Sequence, residues 1–375
     1  MNMTFVVVYL KSKAESLISQ SLLLLHHFPS LHIKEISHMD REQEEMQFLG
    51  LFGIYSEAYK VIIKWRKIFS QITLSLILPL SFIFLSHMEI SHYLDFKIRH
   101  NESKLHRTQS STTDEKRKKL SDLISSESAT LWIFNIFYFG FLLIFSLLST
   151  SAVVYTIASI YTGRDITFKK VMTIVPKVWK RLLVTFLCAF FAFFVYNFFA
   201  GILLIGWAMN LADSYLADII VLTIMVIIYV TGSVYMTIIW QLATVISVLE
   251  DSYGIKAMMK SKELIKGKMM IALVIFFKLN LSLVAVQIFF DEFVIHGWRI
   301  GILHRIGFGL LCLLLLFKLI LFGLVIQTII YFVCKSYHHE NIDKSLLSDH
   351  LEVYSGDYVP LKSKDIQLEQ YDYEV

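Results

Sequence analysis

Two lysines stand where lysines are costly. Lys278 lies inside the apolar run Met269–Ile295, and Lys318 near the middle of Ile306–Cys334. A charge at the centre of a bilayer costs about 2.5–3.5 kcal/mol on insertion scales. Neither lysine has an acid near it in its run. Two readings follow: a cationic contact for a lipid phosphate or an anionic solute, or a lysine that snorkels or bonds Asn, Gln or backbone carbonyls. A second group of lysines follows Glu250 and Asp251, in WQLATVISVLEDSYGIKAMMKSKELIKGK (240–268). Gly254, Ala257, Met258, Ser261, Leu264 and Ile265 recur at helical spacing on one face, with Lys256, Lys260, Glu263 and Lys266 opposite. Asp251 or Ser252 can cap such a helix and Gly267 can end it. Lying flat in a headgroup layer, it would gain about 1 kcal/mol per lysine from anionic lipid.

Other chemistry is sparse. Gly-x-Ser-x-Gly, His-Glu-x-x-His and phosphate-cradling glycine loops are absent from the chain, so no catalytic residue, cofactor or metal is assigned and no enzyme is expected. His338, His339 and Glu340 stand beside the end of an apolar run, and His296 and His304 share a link with Asp291 and Glu292. Both groups read as ordinary surface histidines before they read as ligands. Cys188, Cys312 and Cys334 fall in or at the ends of apolar runs and form no disulfide framework. Asn101-Glu102-Ser103 is a candidate glycan acceptor. Tyr358-Val359-Pro360-Leu361 matches the tyrosine-x-x-apolar signal that clathrin adaptors read as an extended strand, with Tyr358 and Leu361 entering pockets. The competing reading is a solvated tail without a partner.

The elements that must position these residues are membrane spans. The chain has 375 residues, 56% hydrophobic and 18% charged, with mean hydropathy +0.60 and four prolines. Its apolar residues come in runs of twenty or more, enough to cross a bilayer as helices. The expected fold is all-α, a polytopic transmembrane bundle of about six spans: Ile68–Ser86, Leu131–Ile160, Leu182–Met209, Ile219–Leu249, Met269–Ile295 and Ile306–Cys334. Residues 1–38 read as a leader of doubtful structure, 39–67 as a cytosolic amphipathic helix, 68–334 as the six-span domain and 335–375 as a disordered cytosolic tail.

Phe48, Leu51, Phe52, Tyr55, Ala58, Tyr59 and Ile62 should form the apolar face of the first such helix, with Glu57, Lys60, Lys64 and Lys67 opposite. Phe168 to Leu182 should form another, capped by Asp165 and bent at Pro176, so that basic helix, span, link and span recur three times. Lys and Arg gather in the three amphipathic connectors, which places those connectors and both termini in the cytosol. His87–Thr130, a polar loop that includes Lys116–Lys119, then falls on the other side.

WRKIFSQITLSLILPLSF (65–82), ASIYTGRDITF (158–168), SVLEDSYGIKAMMKSKELIKGK (247–268) and YVPLKSKDIQLEQYDYEV (358–375) carry a resemblance. The chain after Met39 resembles a family of plant multi-pass integral membrane proteins, some of them labelled as binding a polyadenylate-binding protein. Glu250, Gly254, Ala257, Ser261 and Gly267 also look like a short pattern in the membrane domain attached to bacterial glycerophosphodiester phosphodiesterases. That likeness implies a helical scaffold and no phosphodiesterase activity. The expected partners are membrane lipids and a cytosolic protein bound through the tail, with no nucleic acid, in the endomembrane system or the plasma membrane. Function divides between a non-enzymatic membrane scaffold or lipid-organising protein and a carrier or channel for a small anionic solute or lipid.

Overall fold

A computed structural model describes residues 46–108, 114–163, 166–209, 215–297 and 301–338. The leader, the Asp165 cap, His339, Glu340, Tyr358 and Leu361 lie outside the described residues. Among those residues every regular element is helical. The order is α1 (Leu51–Lys64), α2 (Arg66–Ile72), a π-helical turn (Thr73–Ile77), α3 (Leu78–Thr108), α4 (Asp114–Tyr161) and α5 (Phe168–Met209). Then come α6 (Tyr215–Leu249), α7 (Ile255–Leu264), α8 (Met269–Phe290), a second π-helical turn (Asp291–Ile295) and α9 (Ile302–Tyr337). Six helical stretches are long and apolar enough to cross a membrane: Arg66–Leu105, Lys118–Tyr161, Phe168–Met209, Asp218–Leu249, Met269–Ile295 and Ile302–Tyr337.

The packed core sits at one end of the bundle. Ile54 and Val61 of α1, Val153 and Ile157 of α4, Ile174 and Val178 of α5, Val245 and Ile246 of α6, Ala272 and Ile275 of α8, and Ile329 and Val333 of α9 form one buried cluster. The basic connectors all lie at this end. A smaller cluster, built from Leu85, Phe290, Ile295, Cys312 and Leu316, joins the opposite half of α3, α8 and α9. Elsewhere in that far half the spans present large side chains outward, such as Phe191 and Leu203 on α5 and Ile228 on α6. Apolar residues facing lipid need no protein partner, because lipid tails are as apolar as the side chains.

Three expectations need correction. The polar stretch His87–Thr130 is not a loop: α3 runs on to Thr108, and α4 begins at Asp114. The two helices are tied by Lys97 Nζ to Glu127 Oε1 at 3.0 Å and by Asn101 Nδ2 donating to Glu127 Oε2 at 2.8 Å. These partners are 26 to 30 residues apart in sequence, so local composition could not reveal them.

The segment before the third span is not a separate interfacial helix, because α5 is continuous from Phe168 through Pro176 to Met209. On α1, the buried face is Ile54, Glu57, Ala58 and Val61, while Phe52 and Tyr59 are exposed. Glu57, assigned to the polar face, is turned inward.

Candidate functional site

The site is built around the end of α6. Leu249 closes that helix, and Glu250 follows it directly into the gap between α7 and α9. Lys260 Nζ of α7 lies 2.7 Å from Glu250 Oε2. Lys335 Nζ of α9 lies 3.0 Å from Glu250 Oε1, to which Tyr331 also donates its hydroxyl at 2.7 Å. One carboxylate thus ties three helices together. Burial alone would raise the Glu250 pKa, but the bond from Lys260, the charge of Lys335 and the Tyr331 hydroxyl outweigh it. The pKa is held below its ordinary 4.5.

A second network fixes the start of α7. Gly254 takes φ +64°, a left-handed conformation suited to glycine, and its N–H donates to Thr185 Oγ1 of α5 at 2.8 Å. A Cβ there would meet Cys188 Sγ and Val184 Cγ1 at 3.4 Å. Thr185 Oγ1 in turn lies 2.6 Å from Ser247 Oγ of α6. Ser261 Oγ, fully buried, donates to the Ile239 carbonyl of α6 at 2.8 Å.

The other end of α7 is clamped by α9. Gly267, at φ +87°, leaves no room for a Cβ against the Tyr337 ring. Lys268 Nζ lies 5.0 Å from the centroid of that ring and donates to the Gln47 carbonyl at 2.8 Å. His338 Nε2 is 3.0 Å from the Lys266 carbonyl.

The predicted helix is therefore present, with the glycines where the sequence put them, but its surroundings differ. Ala257, Ser261, Leu264 and Ile265 pack into the protein and not into a headgroup layer. Nor does Asp251 cap α7: it pairs with Arg181 Nη1 of α5 at 2.7 Å. Lys256 and Lys266 are exposed, and Lys260 is engaged by Glu250. These three lysines line a groove of about 740 Å³ with Met259, Glu263, Leu264 and His338.

The remaining candidates lie elsewhere. Lys278 and Lys318 are exposed on the outer surfaces of α8 and α9 and join neither the Glu250 network nor the groove. Asn101 is buried in α3, 7% exposed, and the amide nitrogen a glycan would take is the one bonded to Glu127, so the folded hairpin does not present an acceptor. Away from the Glu250 network, His296 Nδ1 lies 3.4 Å from Asp291 Oδ2, and Arg305 Nη2 lies 3.4 Å from Glu89 Oε1. Among the described residues no cluster of three or more His, Cys, Asp or Glu is placed to hold a metal.

Some polar groups inside the spans join neighbouring helices. Gln327 donates to the Gln241 carbonyl and, at 2.7 Å, to Thr244 Oγ1. Asn197 accepts from the Tyr229 hydroxyl at 2.8 Å. The Glu250 network escaped the sequence reading, although a signal for it existed. Glu250 ends an apolar run free of acids from residue 219 to residue 249, and Lys335 ends another.

Six apolar helices whose basic connectors converge on one packed end define a polytopic α-helical membrane protein. A family described as a domain of unknown function (DUF8558) matches residues 39–371, and the chain belongs to it. No curated protein and no solved structure matches the chain.

Proposed function

We propose that this protein is a non-enzymatic membrane scaffold that organises lipid at its basic end, with that end in the cytosol of an endomembrane or plasma-membrane compartment. The observation that carries the reading is the imbalance of charge on α7. Lys256, Lys262 and Lys266 are exposed and make no ion pair among the described residues, while Glu250 is already engaged by Lys260, Lys335 and Tyr331. Unneutralised lysines at the edge of a bilayer attract anionic headgroups. Lys278 and Lys318 fit the same reading as lysines that run along lipid and carry their ammonium toward a polar layer. A cytosolic partner for the tail belongs to this proposal, as does the tyrosine signal at Tyr358 and Leu361.

A carrier is the competing reading, and one observation favours it. Thr73, on the π-helical turn of the first span, and Ser149 and Thr156 of α4 have buried hydroxyls without a hydrogen-bond partner among the described residues. Such groups can line a passage. Full-length protein reconstituted into liposomes of mixed neutral and anionic lipid separates the two. A scaffold enriches anionic lipid around itself and leaves solute flux and lipid scrambling at the level of protein-free vesicles. Flux or scrambling above that level would replace the scaffold with the carrier.

A further inference from the structure

The groove between α7 and the end of α9 has features that general attraction to a charged surface does not need. Its volume of about 740 Å³ falls in the range of roughly 300–1,000 Å³ typical of ligand pockets. Its walls are fixed: Glu250 holds Lys260, the Lys266 carbonyl is tied to His338, and Gly267 packs against Tyr337. The charge is directed. Lys260 is paired with Glu250, Glu263 is the one acid in the lining among the described residues, and Lys256 and Lys266 supply ammonium groups without a carboxylate of their own.

The surround is apolar. Met259, in the lining, is 61% exposed, and Ile255, one helical turn earlier on α7, is 66% exposed. A soluble anion needs no such rim, whereas a lipid brings a phosphate and a glycerol backbone joined to acyl chains.

We infer that this groove binds the phosphate headgroup of an anionic lipid from the adjoining leaflet. Lys256 and Lys266 hold the phosphate, and Met259 and Ile255 receive the glycerol end. The inference rests on the lipid-organising reading above and gives it a place and a ligand class.

The test uses the full chain in nanodiscs of neutral lipid containing fluorescent phosphatidic acid as the probe. Lys256→Gln/Lys266→Gln is compared with Lys60→Gln/Lys67→Gln, a pair that removes the same charge from exposed positions at α1 and α2. The groove pair should weaken binding about fivefold per lysine, roughly 25-fold together, and the other pair less than about twofold. Lys256→Arg/Lys266→Arg should retain binding.

Equal losses in the two glutamine pairs overturn the groove and leave the scaffold reading standing. Failure of the unmodified protein to bind any anionic lipid overturns both. Displacement of the probe by inorganic phosphate at the affinity of the lipid overturns the lipid assignment.

Discussion

The two ends of α6 are equally apolar and entirely different in role. Near its start, Ile228 is 65% exposed and meets what surrounds the bundle, whereas Ile246 is fully buried in the core. The same contrast holds for α5, whose Val171, Val175 and Val178 are buried while Phe191, Phe198 and Leu203 are exposed. Hydropathy does not separate these residues, because the bilayer and a protein interior solvate an aliphatic side chain alike. What separates them is the polar hardware at the basic end, where Glu250, Thr185, Ser261 and Lys268 fix helix to helix. Stability should therefore be concentrated at that end.

The sharpest way to break this contrast is to truncate α6 at both places. Ile246→Ala should cost about 2–5 kcal/mol and Ile228→Ala less than about 0.5, measured as unfolding free energy in mixed micelles. Equal costs would mean that the far half is packed in a way its exposure does not show.

A smaller effect should come from Glu250→Gln. Removing one partner of a buried ion pair costs about 3–5 kcal/mol, and about 3 is expected here, because Lys260 remains a third exposed and can find water. The effect has a pH signature. The folded pKa of Glu250 is depressed, so its stabilisation is fully present above the ordinary 4.5 and is lost as pH falls through the folded value. Unfolding titrations should show the variant and the parent far apart at neutral pH and converging in acid. A gap that stays constant with pH would remove the ion pair from the explanation.

The smallest effect belongs to Asp251→Asn. Its partner Arg181 is close, but Asp251 is 75% exposed, so the pair should contribute about 0.2–1 kcal/mol and fade with added salt. A loss as large as that of Glu250→Gln would show that exposure is a poor guide to strength in this region.

Much of the fold was legible in the sequence because bilayer thickness sets a length, and six apolar runs meet it. The helix α7 was legible too, since the period of Ala257, Ser261 and Leu264 and the flanking Gly254 and Gly267 are local signals. The destination of its apolar face was not. A face that packs on α6 and a face that enters lipid share one periodicity, and only contacts such as Ser261 to Ile239 distinguish them. Glu57 was misassigned for a related reason: a charge on a short helix reads as solvated unless its surroundings are known. The α3–α4 hairpin was hidden by its own composition, because Ser, Thr and Lys suggest a loop when the partner strand of contacts lies elsewhere in the chain. The continuity of α5 through Pro176 was missed because an interior proline ordinarily ends or bends a helix.

That hairpin also sets a dimension. The part of α4 from residue 114 to residue 130 precedes its apolar run, and at about 1.5 Å per residue it adds roughly 25 Å of helix before that run. The neighbouring part of α3 runs antiparallel to it, joined through the buried Asn101–Glu127 bond. A paired rod of that height is stiff where a loop of the same length would collapse. It holds the residues around Asn101 and Glu127 at a fixed distance from the apolar runs that continue the two helices.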